Sequence, residues 1–145
     1  MMKIIKLTVK GASGYCSVDD AYEDKVTLTP SSISYEYKPH PLAQSETNIH
    51  KKWSYKTNSP AFKELFDAIA AKAPEYLHND DELLALDIGP IDLVVTFEDK
   101  HKESVHLFCP SEYFEDLFHL IKKLVPSFED IPIVLLTHED YDILD

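Results

Sequence analysis

The sequence predicts an α+β fold, a two-layer sandwich with a mainly antiparallel sheet. The sheet is built from two ββα-like units plus an N-terminal strand, with two main helices on one face. Short segments in which apolar and polar residues alternate predict strands with one buried face. Two longer segments with apolar residues three and four positions apart predict amphipathic helices. Each helical segment follows strand-like segments, and this order favours helices collected on one side of an antiparallel sheet.

The two helical segments resemble each other in sequence. Residues 59–74 align without a gap on residues 111–126, with Ser, Phe, Leu, Phe, Ile and Pro at the same places. The same shift superposes the apolar phase of the strand-like segment before each helix. We interpret residues 25–74 and 91–126 as an internal repeat. The alternative is that common helix-forming patterns produce the match by themselves.

The first half of the chain predicts four strands. Residues 2–9 are rich in β-branched residues, and the segments 26–28, 33–37 and 51–57 alternate apolar and polar side chains. Between them we expect turns and irregular segments where Gly, Pro and Ser collect.

Two loops and one helix complete this half. Residues 11–24 and the proline-containing segment Lys38–Asn48 are predicted to be loops. Ser59 is a suitable N-cap with Pro60 at the first helical position, and Pro74 marks the end of the helix.

The second half predicts a hairpin, a helix and an ambiguous tail. Residues 91–97 and 105–109 alternate as two strands, and Ser111 is the expected cap of the second helix. Residues 79–86 favour a short additional helix. Residues 131–136 fit either an edge strand or a segment packed against the core.

Composition predicts one cytoplasmic domain spanning residues 1–145. The chain has 44% hydrophobic residues and two cysteines in no metal-type spacing, which favours a globular protein in a reducing compartment. No apolar run approaches the roughly 20 residues of a membrane span, and residues 1–6 read as a strand and lack the pattern of a secretory signal. We therefore expect no membrane association.

The charge balance favours protein partners over nucleic acids. The net charge is −12, and all fourteen basic residues are lysines. Residues 1–56 carry a net charge of +2, and residues 57–145 carry −14. Such a field repels phosphate backbones, and without arginine the usual bidentate phosphate clamp is missing. We expect no nucleic-acid binding, and an acidic surface that attracts a basic protein is the alternative to a mere solubility effect.

No motif predicts catalysis, a cofactor or a metal. None of the seven histidines falls in a zinc-type frame. His78 and His138 each lie near carboxylates, but adjacent acids are typical of a helix start or a solvated tail. Cys16 has acids nearby, which would suppress its nucleophilicity, and Cys109 has the phase of a small core residue. We therefore name no catalytic, cofactor-binding or metal-binding residue.

The sheet face away from the helices is the candidate interaction surface. By alternation it displays the mostly polar set Ser34, Glu36, Lys52, Ser54, Lys56, Asp92, Val94, Thr96, His106 and Phe108. Val94 and Phe108 are the apolar exceptions on this face. We select Lys52, Lys56, Val94, His106 and Phe108 as the residues of a partner surface, or of the seam of a homodimer.

Two functional hypotheses follow. The first is a non-catalytic protein-interaction module, such as an adaptor, an inhibitor or an immunity-like protein, that binds a basic partner. The second is a small enzyme or ligand-binding domain with a site between the helices and the 38–48 loop, which predicts an enclosed pocket and a titratable group with a shifted pKa. We favour the first, because the sequence shows no catalytic motif.

Overall fold

The structure, a computed structural model, describes residues 3–14, 16–77 and 89–141. Its strands are β1 Ile4–Ala12, β2 Tyr22–Thr29, β3 Ser32–Pro39, β4 Lys51–Lys56, β5 Ile91–Phe97 and β6 Lys102–Leu107. Its α-helices are α1 Pro60–Lys72, α2 Glu115–Lys122 and the single turn α3 His138–Tyr141. Short 3-10 segments cover Ala73–Tyr76, Ser111–Phe114 and Ile133–Leu135.

The six strands form one open sheet in the order β4-β3-β2-β1-β5-β6. Every neighbouring pair is antiparallel, so the predicted α+β class with an antiparallel sheet is confirmed. The N-terminal strand lies in the centre, where Val9 pairs with Val26 on one side and with Leu93 on the other. The strands β4 and β6 are the two edges.

One face of the sheet carries the core. Side chains alternate between buried and exposed along β2, β3 and β5, as the two-residue period of the sequence predicts. The buried side chains of the strands form one cluster with those of both main helices, including Phe66 of α1 and Phe118 of α2. The two helices therefore cover a common face, and the opposite face of the sheet is open.

The starts of the two helices differ from the expected caps. Ser59 is the N-cap of α1 but its side chain makes no capping hydrogen bond, while its amide donates to the hydroxyl of Thr57 at 3.1 Å. Ser111 begins a 3-10 turn that precedes α2, and its hydroxyl donates to the backbone carbonyl of Leu136. Ser111 therefore ties the tail of the chain to the helix layer.

The first two strands are longer than predicted. β1 continues to Ala12 and β2 already begins at Tyr22, so the predicted 11–24 loop shortens to residues 13–21. The 38–48 loop packs on it: the amide of Gln44 donates to Asp19 Oδ1, and the side-chain amide of Asn48 donates to the carbonyls of Asp19 and Ala21. The two loops support each other at one end of the sheet.

Residues 131–136 of the tail pack against the core and form no strand. Ile133–Leu135 is a 3-10 turn in contact with β1 and β2, and Val134 and Leu135 are buried. The alternative of an edge strand for residues 131–136 is therefore wrong. Pro132 removes one amide donor and leads into this turn.

The arrangement places the two proposed repeat units alike. In each, an inner strand and an edge strand precede a helix: β3, β4 and α1 in one, β5, β6 and α2 in the other. Duplication of residues 25–74 and 91–126 stays a prediction. The short helix expected at 79–86 lies outside the described residues. Within the described ranges, no helix is both long and apolar enough to cross a bilayer.

Candidate functional site

The open face of the sheet concentrates lysines in an acidic chain. Alternation along the strands directs the side chains of seven lysines to this face, of the fourteen in the chain. They are Lys6, Lys10, Lys25, Lys38, Lys52, Lys56 and Lys102. The strand carboxylates of the same phase are Glu23, Glu36 and Asp92. Most remaining positions are Ser or Thr, so this face is hydrophilic and positively charged.

A central row of this face crosses all six strands in register. It consists of Lys52, Glu36, Lys25, Lys10, Asp92 and His106, each directly opposite the next. The two lysines in the middle of the row therefore face each other across β1 and β2, and like charges at directly opposed positions repel.

The carboxylates of the row pair with the outer groups. Glu36 accepts a hydrogen bond from His50 Nε2 at 3.0 Å and lies 3.6 Å from the ammonium of Lys38. The hydrogen bond to His50, with the nearby lysine charges, lowers the pKa of Glu36. Asp92 pairs with Nδ1 of His106. In the part of the chain described here, Lys10 and Lys25 form no ion pair.

A depression of about 390 Å³ lies over this central pair. Its lining includes Lys10, Lys25, Lys38 and His106, and at one end the small residues Gly11 and Ala12 leave the sheet uncovered. The lining also contains four carboxylate residues, which are Glu23, Asp24, Glu36 and Asp92.

The five residues predicted as an interaction surface all have the phase of the open face, but they are spread over it. Lys52 and Lys56 lie on edge strand β4, whereas His106 lies on the opposite edge strand β6. Val94 lies between them on β5, and Phe108, 47% exposed, follows β6 and meets the ring of His106 edge-on at 5.2 Å. Their joint role as a surface stays a prediction.

A second recess, the helical groove, lies on the other layer. It is about 340 Å³ and largely apolar, with Tyr55, Phe62, Leu65, Val125 and Phe128 in its lining, and Lys123 is the charged residue that lines it. The side chain of Phe128 is 76% exposed, which is unusual for an aromatic residue in a protein with a closed core. An exposed apolar groove of this kind is typical of a protein interface.

The helical layer that contains this groove is rich in carboxylates, although none of them lines the groove itself. The described residues 57–77 and 108–141 contain ten carboxylate side chains and four lysines. Glu64 of α1 is next to the groove residue Leu65, and Glu129 and Asp130 directly follow Phe128. The layers therefore differ in sign: the helical layer is acidic and the open face is basic.

Asp24 is a buried carboxylate at the floor between the two layers. It is 3% exposed, and its Oδ2 accepts hydrogen bonds from the hydroxyl of Tyr35 at 2.9 Å and from the amide of Val134 at 3.0 Å. Its Oδ1 is buried without a hydrogen-bond partner in the described structure. Burial raises the pKa of Asp24, and the two hydrogen bonds oppose that shift. Burial and the Asp24 charge also raise the pKa of Tyr35.

A further depression of about 310 Å³ lies beside Asp24, lined by Gly11, Ser13, Cys109, Ser111 and Val134, among others. A Cβ added at Gly11 would lie 2.8 Å from Asp24 Oδ1 and 2.7 Å from Cγ2 of Val134, so glycine allows the carboxylate to sit there. Asp24 is itself one of the residues that line this depression. Because its Oδ2 accepts the amide of Val134, Asp24 also holds the tail on the sheet.

The two thiols lie in different environments. Burial raises the pKa of the Cys109 thiol to about 11, so this group is an unreactive core residue at neutral pH. Cys16 is exposed in the 13–21 loop. Among residues 3–14, 16–77 and 89–141, no three His, Cys, Asp or Glu side chains converge to hold a metal ion. His78 lies outside the described residues.

Sequence reasoning missed three features of these sites. Asp24 lies on the same face of β2 as Val26 and Leu28. Extending the alternating pattern two residues toward the N-terminus would therefore have predicted that Asp24 is buried. Lys10 and Lys25 face each other because β1 lies next to β2. Alternation within a strand does not predict the order of strands in the sheet, so it could not reveal this pair. No local pattern distinguishes Phe128 from a buried aromatic residue.

Comparisons with known proteins add no functional assignment. No protein-family model matches the chain, and no curated protein sequence matches it.

Proposed function

We propose that this chain is a non-catalytic protein-interaction module that binds a basic partner at the helical groove. One observation carries the proposal: the most exposed aromatic side chain described, Phe128, borders an apolar groove within a layer of ten carboxylates and four lysines. Protein interfaces combine an apolar centre with a polar rim, and aromatic anchors supply much of their binding energy.

The net charge of the helical layer defines the partner. Carboxylates on a surface steer a cationic protein toward it and reject acidic competitors. A partner with lysines or arginines around a central apolar side chain would match both the acidic layer and the groove. Adaptors, inhibitors and immunity-like proteins bind in this way without performing chemistry.

The test uses a defined basic probe. A 12-residue peptide of alternating lysine and alanine with one central leucine is titrated against the full chain by fluorescence anisotropy. We expect the triple variant E64Q/D116N/D130N to weaken binding about tenfold, since it removes three carboxylates of the acidic layer. We expect Phe128→Ala to weaken binding by a similar factor.

The matched control is E23Q/E46Q/E98Q, which removes the same charge from exposed residues outside the helical layer. It should leave binding within about twofold of the original chain. Binding that is insensitive to salt, or equal losses in both triple variants, would show that net charge alone attracts the probe.

A ligand-binding domain is the second candidate, and Asp24 is the observation that favours it. A buried carboxylate with an unpartnered oxygen beside a depression of about 310 Å³ suits a small ligand with a hydrogen-bond donor. Oδ1 is covered by Gly11 and Val134, so such a ligand would have to displace one of them. Thermal stabilisation by small amines that is lost in Asp24→Asn would favour this candidate over the first.

A further inference from the structure

We propose that the open face of the sheet is a second docking surface, and that it binds an extended acidic segment of a partner protein across Lys10 and Lys25. This surface is on the opposite layer from the helical groove, and the proposal is independent of that site.

The first argument is the unsatisfied charge at the centre of the face. Lys10 and Lys25 are directly opposite in register, and the two carboxylates that flank them are held by other groups. Glu36 is engaged by His50 and Lys38, and Asp92 is engaged by His106. Two like charges in register repel each other, so an external anion placed between them removes a repulsion and also gains an attraction.

The second argument is charge complementarity over the whole face. Seven lysines oppose three carboxylates on this face, although the net charge of the chain is −12. Because the chain as a whole has more acids than lysines, its composition does not explain the excess of lysines on this face. The excess results from which residues the strands direct to this side of the sheet. A segment with several carboxylates fits it, and a basic partner is repelled by it.

The third argument separates an acidic protein segment from a nucleic acid. Lysine ammonium groups are point charges, and the face offers no guanidinium for bidentate phosphate contacts. Single strands also need aromatic side chains on which bases stack, and Phe108, beyond the end of β6, is the aromatic residue that this face presents in the described structure. Ser and Thr hydroxyls suit the backbone and carboxylates of a peptide.

The fourth argument is size. With strands about 4.8 Å apart, six strands form a platform roughly 24 Å across, and six residues of strand extend it about 20 Å. The resulting area of about 500 Å² is less than the roughly 800 Å² that each partner of a standard interface buries. The face is therefore matched to a short segment that binds and leaves readily.

The experiment measures binding of a labelled ten-residue peptide of alternating glutamate and serine to the full chain by fluorescence anisotropy, at 20 and 150 mM salt. We expect binding that weakens with salt and that falls about tenfold in K10Q/K25Q. The matched control K63Q/K123Q removes two lysines from the helical layer and should change the dissociation constant less than twofold.

Three outcomes would overturn the proposal. These are no measurable binding by the original chain, equal losses in both double variants, or tighter binding of a ten-nucleotide thymidylate than of the peptide. Sedimentation of the chain alone is the companion measurement: self-association abolished by K10Q/K25Q would identify a second copy as the occupant and overturn the assignment to a partner. K10Q/K25Q should leave binding of the basic peptide intact, so this proposal and the helical groove fail separately.

Discussion

At the scale of single residues, Asp24 has the largest consequences. Its Oδ2 joins β2 to β3 through Tyr35 and to the tail through Val134, 110 residues later in the chain. One buried carboxylate therefore links the sheet to its C-terminal cover. Its second oxygen has no partner in the described structure, so the charge is poorly compensated where it lies.

The buried charge predicts how stability changes with pH. The pKa of Asp24 is raised above 3.8, so between that value and the folded pKa the folded chain holds a proton that the unfolded chain has released. This contribution to the free energy of unfolding is complete at low pH and is lost as the pH rises through the folded pKa. We expect Asp24→Asn to match or exceed the original chain in stability at pH 7 and to lose that advantage toward pH 4.

Chemical denaturation between pH 4 and 8 measures this difference. The exposed carboxylate variant Asp116→Asn is the control for changes in net charge. Asp24→Ala, which leaves the Tyr35 hydroxyl and the Val134 amide without an acceptor, should cost about 3 kcal/mol. Parallel pH profiles for the original chain and Asp24→Asn would contradict the buried-charge interpretation.

Asp24 also shows where sequence reasoning reached its limit. Alternation predicted the buried phase of Val26 and Leu28 correctly, but Asp24 falls in the predicted 11–24 loop, and acids are seldom buried. Its burial depends on Tyr35 and on a tail segment 110 residues away. A sequence contains both groups, but local periodicity cannot bring them together.

At the scale of elements, the attachment of the tail to α2 depends on Lys122. Its ammonium group lies 2.7 Å from both Glu139 and Asp140 and donates to the hydroxyl of Thr137 at 3.0 Å, and its side chain is 7% exposed. In the sequence, Lys122 is an ordinary cation in the last turn of a helix. In the fold it is the buried group that holds α3 against α2.

Replacing Lys122 by methionine should release this segment. The change leaves Asp140 without its cation, and removing one member of a nearly buried pair costs about 3 kcal/mol. We expect hydrogen exchange to accelerate at the amides of Val134 and Leu135, with little change in the central strands. The exposed neighbour Lys123→Met is the control, and unchanged exchange in both variants would show that core packing alone holds the tail.

The same contact is sensitive to acid in the opposite sense to Asp24. The hydrogen bond from Lys122, with the contact to His119, lowers the pKa of Glu139 below 4.5. Its stabilising effect is therefore present at neutral pH and is lost as the pH falls through the folded pKa.

Element order was predictable, and element ends were not. The main strands and helices could be located because each has one buried face and therefore a clear period, although β6 spans Lys102–Leu107 where residues 105–109 were predicted. The predicted ends failed where long-range hydrogen bonds decide them, as when Ser111 donates to Leu136 and so forms a 3-10 turn before α2. The position of β1 between β2 and β5 likewise follows from packing of the whole sheet.

At the scale of the whole molecule, one core predicts one unfolding transition. Each of the six strands contributes buried or partly buried side chains to the same hydrophobic cluster as α1 and α2. Trp53, the single tryptophan, reports on edge strand β4 through its position 6.0 Å from the Tyr35 ring. We expect denaturation curves from Trp53 fluorescence and from far-UV circular dichroism to coincide. An earlier fluorescence transition would show that β4 detaches separately.

The helical layer has a net negative charge and the open face of the sheet has a net positive charge, so the charge distribution of the molecule is asymmetric. If both proposals hold, we expect a basic protein to bind the helical side and an acidic segment to bind the sheet. Because the core separates the two surfaces, we expect that both could be occupied at once.

The central place of β1 sets the order of events during synthesis. Ile4 pairs with Phe97, so β1 is synthesised more than ninety positions before the strand that completes its pairing. Until β5 has been synthesised, the sheet can contain only β4, β3, β2 and β1. In that partial sheet β1, with Leu7 and Val9, is an exposed edge strand, although it is central in the complete sheet. An exposed edge of that kind can pair with strands of neighbouring chains, so we expect the risk of aggregation to be greatest before residue 97 is synthesised.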